Sequence, residues 1–243
     1  MLGNPARLLE VAWRAQMVGG DLNRPTFRPE AFLLDLDGVL IDSHAAHIAA
    51  YREAFRSYDL VFPLDAEDLV RSGMARAEVL AASGAPPDRL DALSRAKASA
   101  LEQALERGSL RPGESERRFL RVLRDHGMPC ALVSNSLMAT TWVQATELDW
   151  AFGAVVDGGS APSLKPSPAG YLLAAELLGA PATSSVVVED APIGVKAGRD
   201  SGAFVIGIGD RVGDGSVDLR VDSVSSIPVA EWLTEGVRTD PGE

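Results

Sequence analysis

Two carboxylates one residue apart close an apolar run in the stretch Phe32-Leu33-Leu34-Asp35-Leu36-Asp37-Gly38-Val39-Leu40-Ile41-Asp42-Ser43. Alternation along an extended chain puts Asp35 and Asp37 on one side. Like charges that close are unfavourable unless a cation or a shared proton relieves them. A packed core has no use for such an arrangement, but a Mg²⁺-dependent carboxylate nucleophile does. A second apolar run, Val186-Val187-Val188, ends in another acidic pair, Glu189-Asp190, followed by Ala191-Pro192-Ile193-Gly194. Acidic residues at a helix start can simply complement the helix dipole. That account leaves unexplained why both acidic pairs close buried strands.

Two further segments carry groups suited to anions. Cys130-Ala131-Leu132-Val133 is an apolar strand that runs into Ser134-Asn135-Ser136. A capping hydroxyl and free backbone N–H groups at the start of a following helix would form a phosphate cradle there. In Ser163-Leu164-Lys165-Pro166-Ser167-Pro168, Lys165 is the one cation of a loop between a strand and a helix, stiffened by two prolines.

The elements that must position these groups follow from the periodicity. A helix is expected from Ser43 to about Tyr58, capped by Asp42 or Ser43. Residues from about 60 to 108 are rich in Ala, Leu and charge and carry no strand signal, with helices near 65–72, 75–83 and 87–107. Strands and helices then alternate: helix 114–126 with Gly127 past its end, strand 129–133, helix 137–147, strand 153–157, helix 167–179, strand 185–189, helix 192–201 and strand 203–208. A short strand near 219–222 and a helix near 228–234 finish the pattern. The order implies an α/β fold, a Rossmann-like parallel sheet with helices on both faces, with a small all-helical cap inserted after the first strand. The expected divisions are an N-terminal arm over residues 1–28, a core over 29–42 and 109–243, and the cap over 43–108. In such sheets ligands bind at the carboxyl ends of the strands, where each motif falls.

Composition limits the partners. The 243 residues carry a net charge of −11, which argues against nucleic acid and anionic membranes. A phosphate-handling protein this acidic must gather its few cations locally. The single Cys130 excludes an intramolecular disulfide and reads as a buried strand thiol. The expected location is the cytoplasm, since no run approaches a membrane span and residues 1–28 lack a signal peptide's long apolar region. Leu8, Leu9, Ala12, Trp13 and Val18 suggest a short amphipathic helix in the arm, and the protein is expected as monomer or homodimer. The loop Gly209-Asp210-Arg211-Val212-Gly213-Asp214-Gly215 reads as a solvated turn.

Asp35-Leu36-Asp37-Gly38-Val39-Leu40 resembles the first motif, Asp-x-Asp-Gly-x-(Leu/Val), of the haloacid dehalogenase-like (HAD) phosphotransferases, and the other three segments fall in that family's order. The resemblance runs from about Ala31 to Ser223. It implies that Ser134 binds the transferring phosphoryl group, that Asn135 lines its pocket, and that Lys165 offsets charge between nucleophile and phosphate. It also implies Mg²⁺ held by Asp35, the backbone carbonyl of Asp37 and Asp190, with Glu189 bound to the metal directly or through its ligands. Within the family the chain is similar to the β-phosphoglucomutase-like branch. His47 lies on the helix where that branch carries a histidine. Gly73-Met74-Ala75-Arg76-Ala77-Glu78-Val79-Leu80 resembles a cap segment in which Arg76 would meet a substrate's distal anion, and Lys97 matches a cap lysine. Two positions depart from the mutase pattern: Ser134-Asn135-Ser136-Leu137-Met138 lacks a later Asn, and Ala191 replaces a Ser.

The implied activity is Mg²⁺-dependent hydrolysis of a small sugar or polyol phosphate through an aspartyl-phosphate, with Asp35 as nucleophile and Asp37 as acid and base. A β-phosphoglucomutase-type phosphomutase is the alternative. A non-catalytic phosphometabolite-binding protein on the same scaffold is the alternative of another class.

Overall fold

In a computed structural model of the chain, residue 25 and residues 27–234 are described. Six strands form one sheet in the order β3-β2-β1-β4-β5-β6, every neighbouring pair parallel. They are β1 (Ala31–Leu34), β2 (Cys130–Val133), β3 (Ala154–Val156), β4 (Ser185–Glu189), β5 (Phe204–Ile208) and β6 (Leu219–Val221). The central strands are apolar along their length because both faces are covered. Phe32, Leu34, Leu132, Val186, Val188, Phe204 and Ile206 enter one core cluster, while Ala31, Leu33, Ala131, Val133, Val187 and Val205 enter another.

The helices divide accordingly. Phe119, Leu120 and Leu123 of α5 (Glu114–Asp125) and Trp142 and Val143 of α6 (Ala139–Ala145) lie in the first cluster, with Trp232 of α9 (Val229–Thr234). Tyr171, Ala174 and Ala175 of α7 (Ala169–Leu178) and Val195 and Ala197 of α8 (Pro192–Asp200) lie in the second. Pro192 occupies a first-turn position of α8, where its missing N–H costs nothing. Gly127, at φ +64°, ends α5 as expected.

Between β1 and β2 the chain builds the helical cap: α1 (His44–Arg56), α2 (Ala66–Arg71), α3 (Arg76–Ala82) and α4 (Leu90–Glu106). It has its own cluster around Ile48, Tyr51, Phe55, Phe62, Leu80 and Leu93. The Tyr51 and Phe62 rings stack with centroids 5.1 Å apart. The amphipathic pattern of the arm lies outside the described residues, although Phe27 packs against the first cluster. Cys130 is buried within β2 and its thiol is pushed up by burial, as the sequence led us to expect. No described helix is long and apolar enough to cross a membrane.

Two local expectations are corrected. Ser43 precedes α1 without capping it by a side-chain hydrogen bond; its hydroxyl donates to Asp37 instead. The helix after β2 begins at Ala139 with Met138 at its cap position, so Ser134 stands in a loop five residues earlier and is no cap. Its Oγ accepts the Ser136 N–H at 3.0 Å.

Helix α8 can lie close to the sheet because Gly198 has no side chain: a Cβ there would sit 2.8 Å from Val187 Cγ1 and 3.1 Å from Val205 Cγ2. Gly198→Ala is therefore expected to destabilise the fold by about 1–3 kcal/mol through overpacking, read as a lower midpoint in urea denaturation; an unchanged midpoint would contradict this packing.

Candidate active site

The strand ends bring three carboxylates together. Oxygen atoms of Asp35, Glu189 and Asp190, all buried, lie within 4.8 Å of one another. Asp35 directly follows β1, Glu189 ends β4, and the two strands are held in register by Leu34 against Val188 and by the Asp35 N–H donating to the Val188 carbonyl at 3.0 Å. Burial raises Asp35 well above the ordinary carboxylate range; Lys165 opposes that shift, while Glu189 and Asp190 add to it. Asp190 is pushed up to about 8, by burial first and by Glu189 second.

Lys165 is the principal offset. Its Nζ donates to Asp35 Oδ1 at 2.6 Å, to Glu189 Oε1 at 2.6 Å and to the Val133 carbonyl at 2.8 Å, using all three ammonium hydrogens. The flanking carboxylates outweigh burial and raise its pKa. Asn135 fixes the loop that presents it: Asn135 Oδ1 accepts the Lys165 N–H at 2.8 Å and its Nδ2 donates to the Lys165 carbonyl at 3.2 Å. The same amide reaches the cap at the Gly73 carbonyl, 3.4 Å away.

Glu189 is the most fully engaged carboxylate. Oε1 also accepts the Tyr171 hydroxyl at 2.7 Å, and Oε2 accepts the N–H groups of Asp190 and Ala191 at 3.1 and 3.4 Å. Gly194 leaves room for it, since a Cβ there would fall 1.8 Å from Oε1. Gly38 is required still more strictly. It has φ +83°, and a Cβ would meet Asp190 Oδ2 at 1.7 Å, so only glycine fits both the conformation and the space.

Asp37 lies apart from this cluster. The chain turns after β1, Leu36 enters the core, and the Asp37 carboxylate faces His47 Nε2 at 3.2 Å and the Ser43 hydroxyl. Both side chains still face the cavity, with Leu36 between them turned into the core, but the close acidic neighbours of Asp35 are Glu189 and Asp190. Burial alone would raise Asp37; His47 and the hydrogen bonds from His47 and Ser43 prevail and hold it below the usual range.

The cap residues converge on the same cavity, which is lined by Asp35, Asp37, His47, Arg76, Lys97 and Ser134 among others. Lys97 is buried, with Nζ 3.1 Å from His47 Nδ1 and 5.1 Å from the centre of the Tyr51 ring. Burial and the charge of Arg76 lower it to about 7. His47 is lowered by burial and by Lys97. Arg76 Nη1 donates to the Ser94 carbonyl at 3.3 Å.

Four participants escaped the sequence reading. Ser43 passed for a helix cap, and Tyr171, within an expected helix, drew no notice; only its hydroxyl distinguishes it there. His44 lies with Nε2 3.7 Å from Asp190 Oδ2. Arg211, assigned to a solvated turn, donates from Nη2 to that same oxygen.

Residues 29–202, which hold the three carboxylates and Lys165 of this pocket, match the haloacid dehalogenase-like hydrolase family. The chain belongs to that family. It is 30% identical over 210 residues to a β-phosphoglucomutase of Mycobacterium bovis, covering 74% of this chain and 80% of that one. It is 28% identical over 211 residues to a phosphorylated carbohydrates phosphatase of Thermotoga maritima, covering 84% and 96%. The fold matches that of a β-phosphoglucomutase from Clostridium difficile with a TM-score of 0.73 at 21% identity, over 85% of this chain and 98% of that one.

Lys165→Met would leave Asp35 and Glu189 buried without their counter-charge. A loss of about 3–5 kcal/mol is expected at pH 8. With the folded pKa of Asp35 raised above its unfolded value, the folded state binds more protons, so stability should recover as the pH falls towards about 5. Urea denaturation at the two pH values measures this, and a pH-independent loss would contradict it.

Proposed function

We propose that this HAD-family enzyme is a Mg²⁺-dependent phosphatase acting on a small sugar or polyol phosphate. The observation that carries the reading is Asp35. It is a buried carboxylate at the end of the central strand, bonded to Lys165 and open to a cavity whose other wall is the cap. The donor set suits the metal: all oxygen and all buried, with Asp35 and Asp190 raised in pKa by burial first and by their acidic neighbours after it. Asp35, Asp190 and the Asp37 backbone carbonyl would hold Mg²⁺, with Glu189 behind them, its oxygens already accepting from Lys165, Tyr171 and backbone amides. Bound there, the ion supplies charge neutralisation for the phosphate oxygens.

The chain's own groups carry the rest. An oxygen of Asp35 attacks phosphorus as the leaving alkoxide departs, giving an aspartyl-phosphate. Lys165 favours the ionised form of Asp35 against burial and stabilises the charge around it. Ser134, with Asn135 beside it, binds the phosphoryl group. Asp37 gives its proton to the leaving oxygen and then takes one from the water that hydrolyses the intermediate. The contacts from His47 and Ser43 favour the ionised form that the second step needs, and the first step draws on the minor protonated fraction, which the leaving oxygen deprotonates. The cap excludes bulk water and selects the leaving group, with Arg76, His47 and Lys97 directed at a second anionic or hydroxyl-rich part of the substrate.

Isomerisation by a phosphomutase is the second reading, favoured by the convergence of Arg76, His47 and Lys97. Hydrolysis is preferred because the wall beside the acidic cluster is apolar, built from Leu137, Ala191 and Ile193. Incubation with β-glucose 1-phosphate and a trace of glucose 1,6-bisphosphate, following free phosphate and glucose 6-phosphate together, separates the two. We expect Mg²⁺-dependent phosphate release, abolished by chelation and reduced about a thousandfold or more by Asp35→Asn. Rapid glucose 6-phosphate formation with little free phosphate would install the mutase instead.

Lys97 offers a second measurement. It is charged below about pH 7 and neutral above. KM for an anionic sugar phosphate should therefore rise as the pH passes through that value, and Lys97→Met should show a high KM without the inflection. Identical profiles for the two proteins would remove Lys97 from substrate binding.

A further inference from the structure

Arg211 meets Asp190 from outside the four family motifs. It belongs to the loop after β5, and its Nη2 donates to Asp190 Oδ2, the oxygen that also lies 3.7 Å from His44 Nε2 and above Gly38. The acidic cluster thus has two cationic contacts of different kinds. Lys165 serves Asp35 and Glu189, is locked by three hydrogen bonds and has a side chain only 7% exposed. Arg211 serves Asp190 alone, and its side chain is 38% exposed. One cation is built into the core; the other can leave by the route to solvent it already occupies.

We propose that Arg211 is a displaceable counter-ion that occupies the Asp190 side of the acidic cluster in the metal-free protein and competes with the divalent cation for that carboxylate. The inference rests on the metal reading given above and adds to it what holds the site together when the ion is absent. Two neighbouring buried carboxylates, Glu189 and Asp190, cannot both stay ionised without compensation. A guanidinium supplies it directionally, through hydrogen bonds to one carboxylate. It also repels an incoming divalent cation and must give up its bond to Asp190, so metal affinity is set below what the three carboxylates alone would reach. An arginine that served only to orient Asp190 for coordination would have the opposite effect, since its removal would weaken binding.

Calorimetric titration of Mg²⁺ into chelator-stripped protein, without substrate, tests the sign. Arg211→Ala and Arg211→Met should bind Mg²⁺ about tenfold more tightly than the parent protein, as loss of a unit charge beside the site requires, whereas Arg211→Lys should stay near the parent value. Thermal melting gives an independent readout. In chelator, Arg211→Ala should melt below the parent protein, and saturating Mg²⁺ should raise its melting temperature by more. If the parent protein binds Mg²⁺ and the neutral variants bind it equally or more weakly, the counter-ion role of Arg211 is overturned while the metal site stands. If neither the parent protein nor Arg211→Ala gives a binding isotherm, the metal site is overturned and this role with it. Circular dichroism of each variant before titration secures the comparison, and Arg211→Gln, held to the same tighter binding, replaces a neutral variant that is poorly folded.

Discussion

Everything around the pocket is arranged to keep three carboxylates buried at neighbouring strand ends. Desolvating one carboxylate already costs several kcal/mol, and proximity adds to that cost. The structure meets it with directed contacts: Lys165 between Asp35 and Glu189, backbone amides on Glu189 Oε2, the Tyr171 hydroxyl, and Arg211 on Asp190. Gly38 and Gly194 are glycine because the carboxylates occupy the volume where their side chains would be. The parallel register of β1 and β4 sets the spacing. Asn135, by gripping the Lys165 backbone, therefore supports the reactive centre as directly as the charged groups within it.

The two carboxylates of the first motif show how environment divides labour between like groups. Asp35 is raised by burial and by its acidic neighbours, whereas Asp37, two residues on, is held low by His47 and Ser43. Their partners make the difference: Asp35 sits among Glu189, Asp190 and Lys165, and Asp37 against His47 and Ser43. His47 then relays the influence of the cap, through Lys97, to Asp37. A chain with a net charge of −11 concentrates cationic groups from cap and core around a small volume, which gives an anionic substrate a local attraction that the overall charge would deny it.

The sequence made the parallel sheet and the helical cap legible because each apolar strand ended at a chemically conspicuous residue. The acidic pairs at Asp35 and Glu189-Asp190 stood out on that ground, while Lys165 joined them only through the resemblance to the family's third motif. What stayed hidden was directional. Strand alternation put Asp35 and Asp37 on one side, and both line the cavity, but it could not tell that Asp37 would pair with His47 and Ser43. Ser43 and Ser134 have the chemistry of helix caps, yet their hydrogens and lone pairs go to Asp37 and Ser136, a choice made by tertiary contacts. Arg211 was illegible because Gly, Asp and Arg in a loop look the same whether the arginine meets water or a carboxylate brought near by a strand about twenty residues earlier in the chain. Lys97 shares an ordinary helical pattern with its exposed neighbours, and only the closeness of α1 to α4 turns it inward.

The burial of Cys130 has a chemical consequence. The thiolate is the form that oxidants and alkylating agents attack, and this thiol, the only one in the chain, is enclosed in β2 with its pKa pushed up. The proposed nucleophile is a carboxylate, whose oxygen has no counterpart to the sulfenic, sulfinic and sulfonic steps that silence cysteine phosphatases. An enzyme built this way would continue to turn over its substrate under peroxide, and its regulation by redox signals would have to come through something other than its own reactive group.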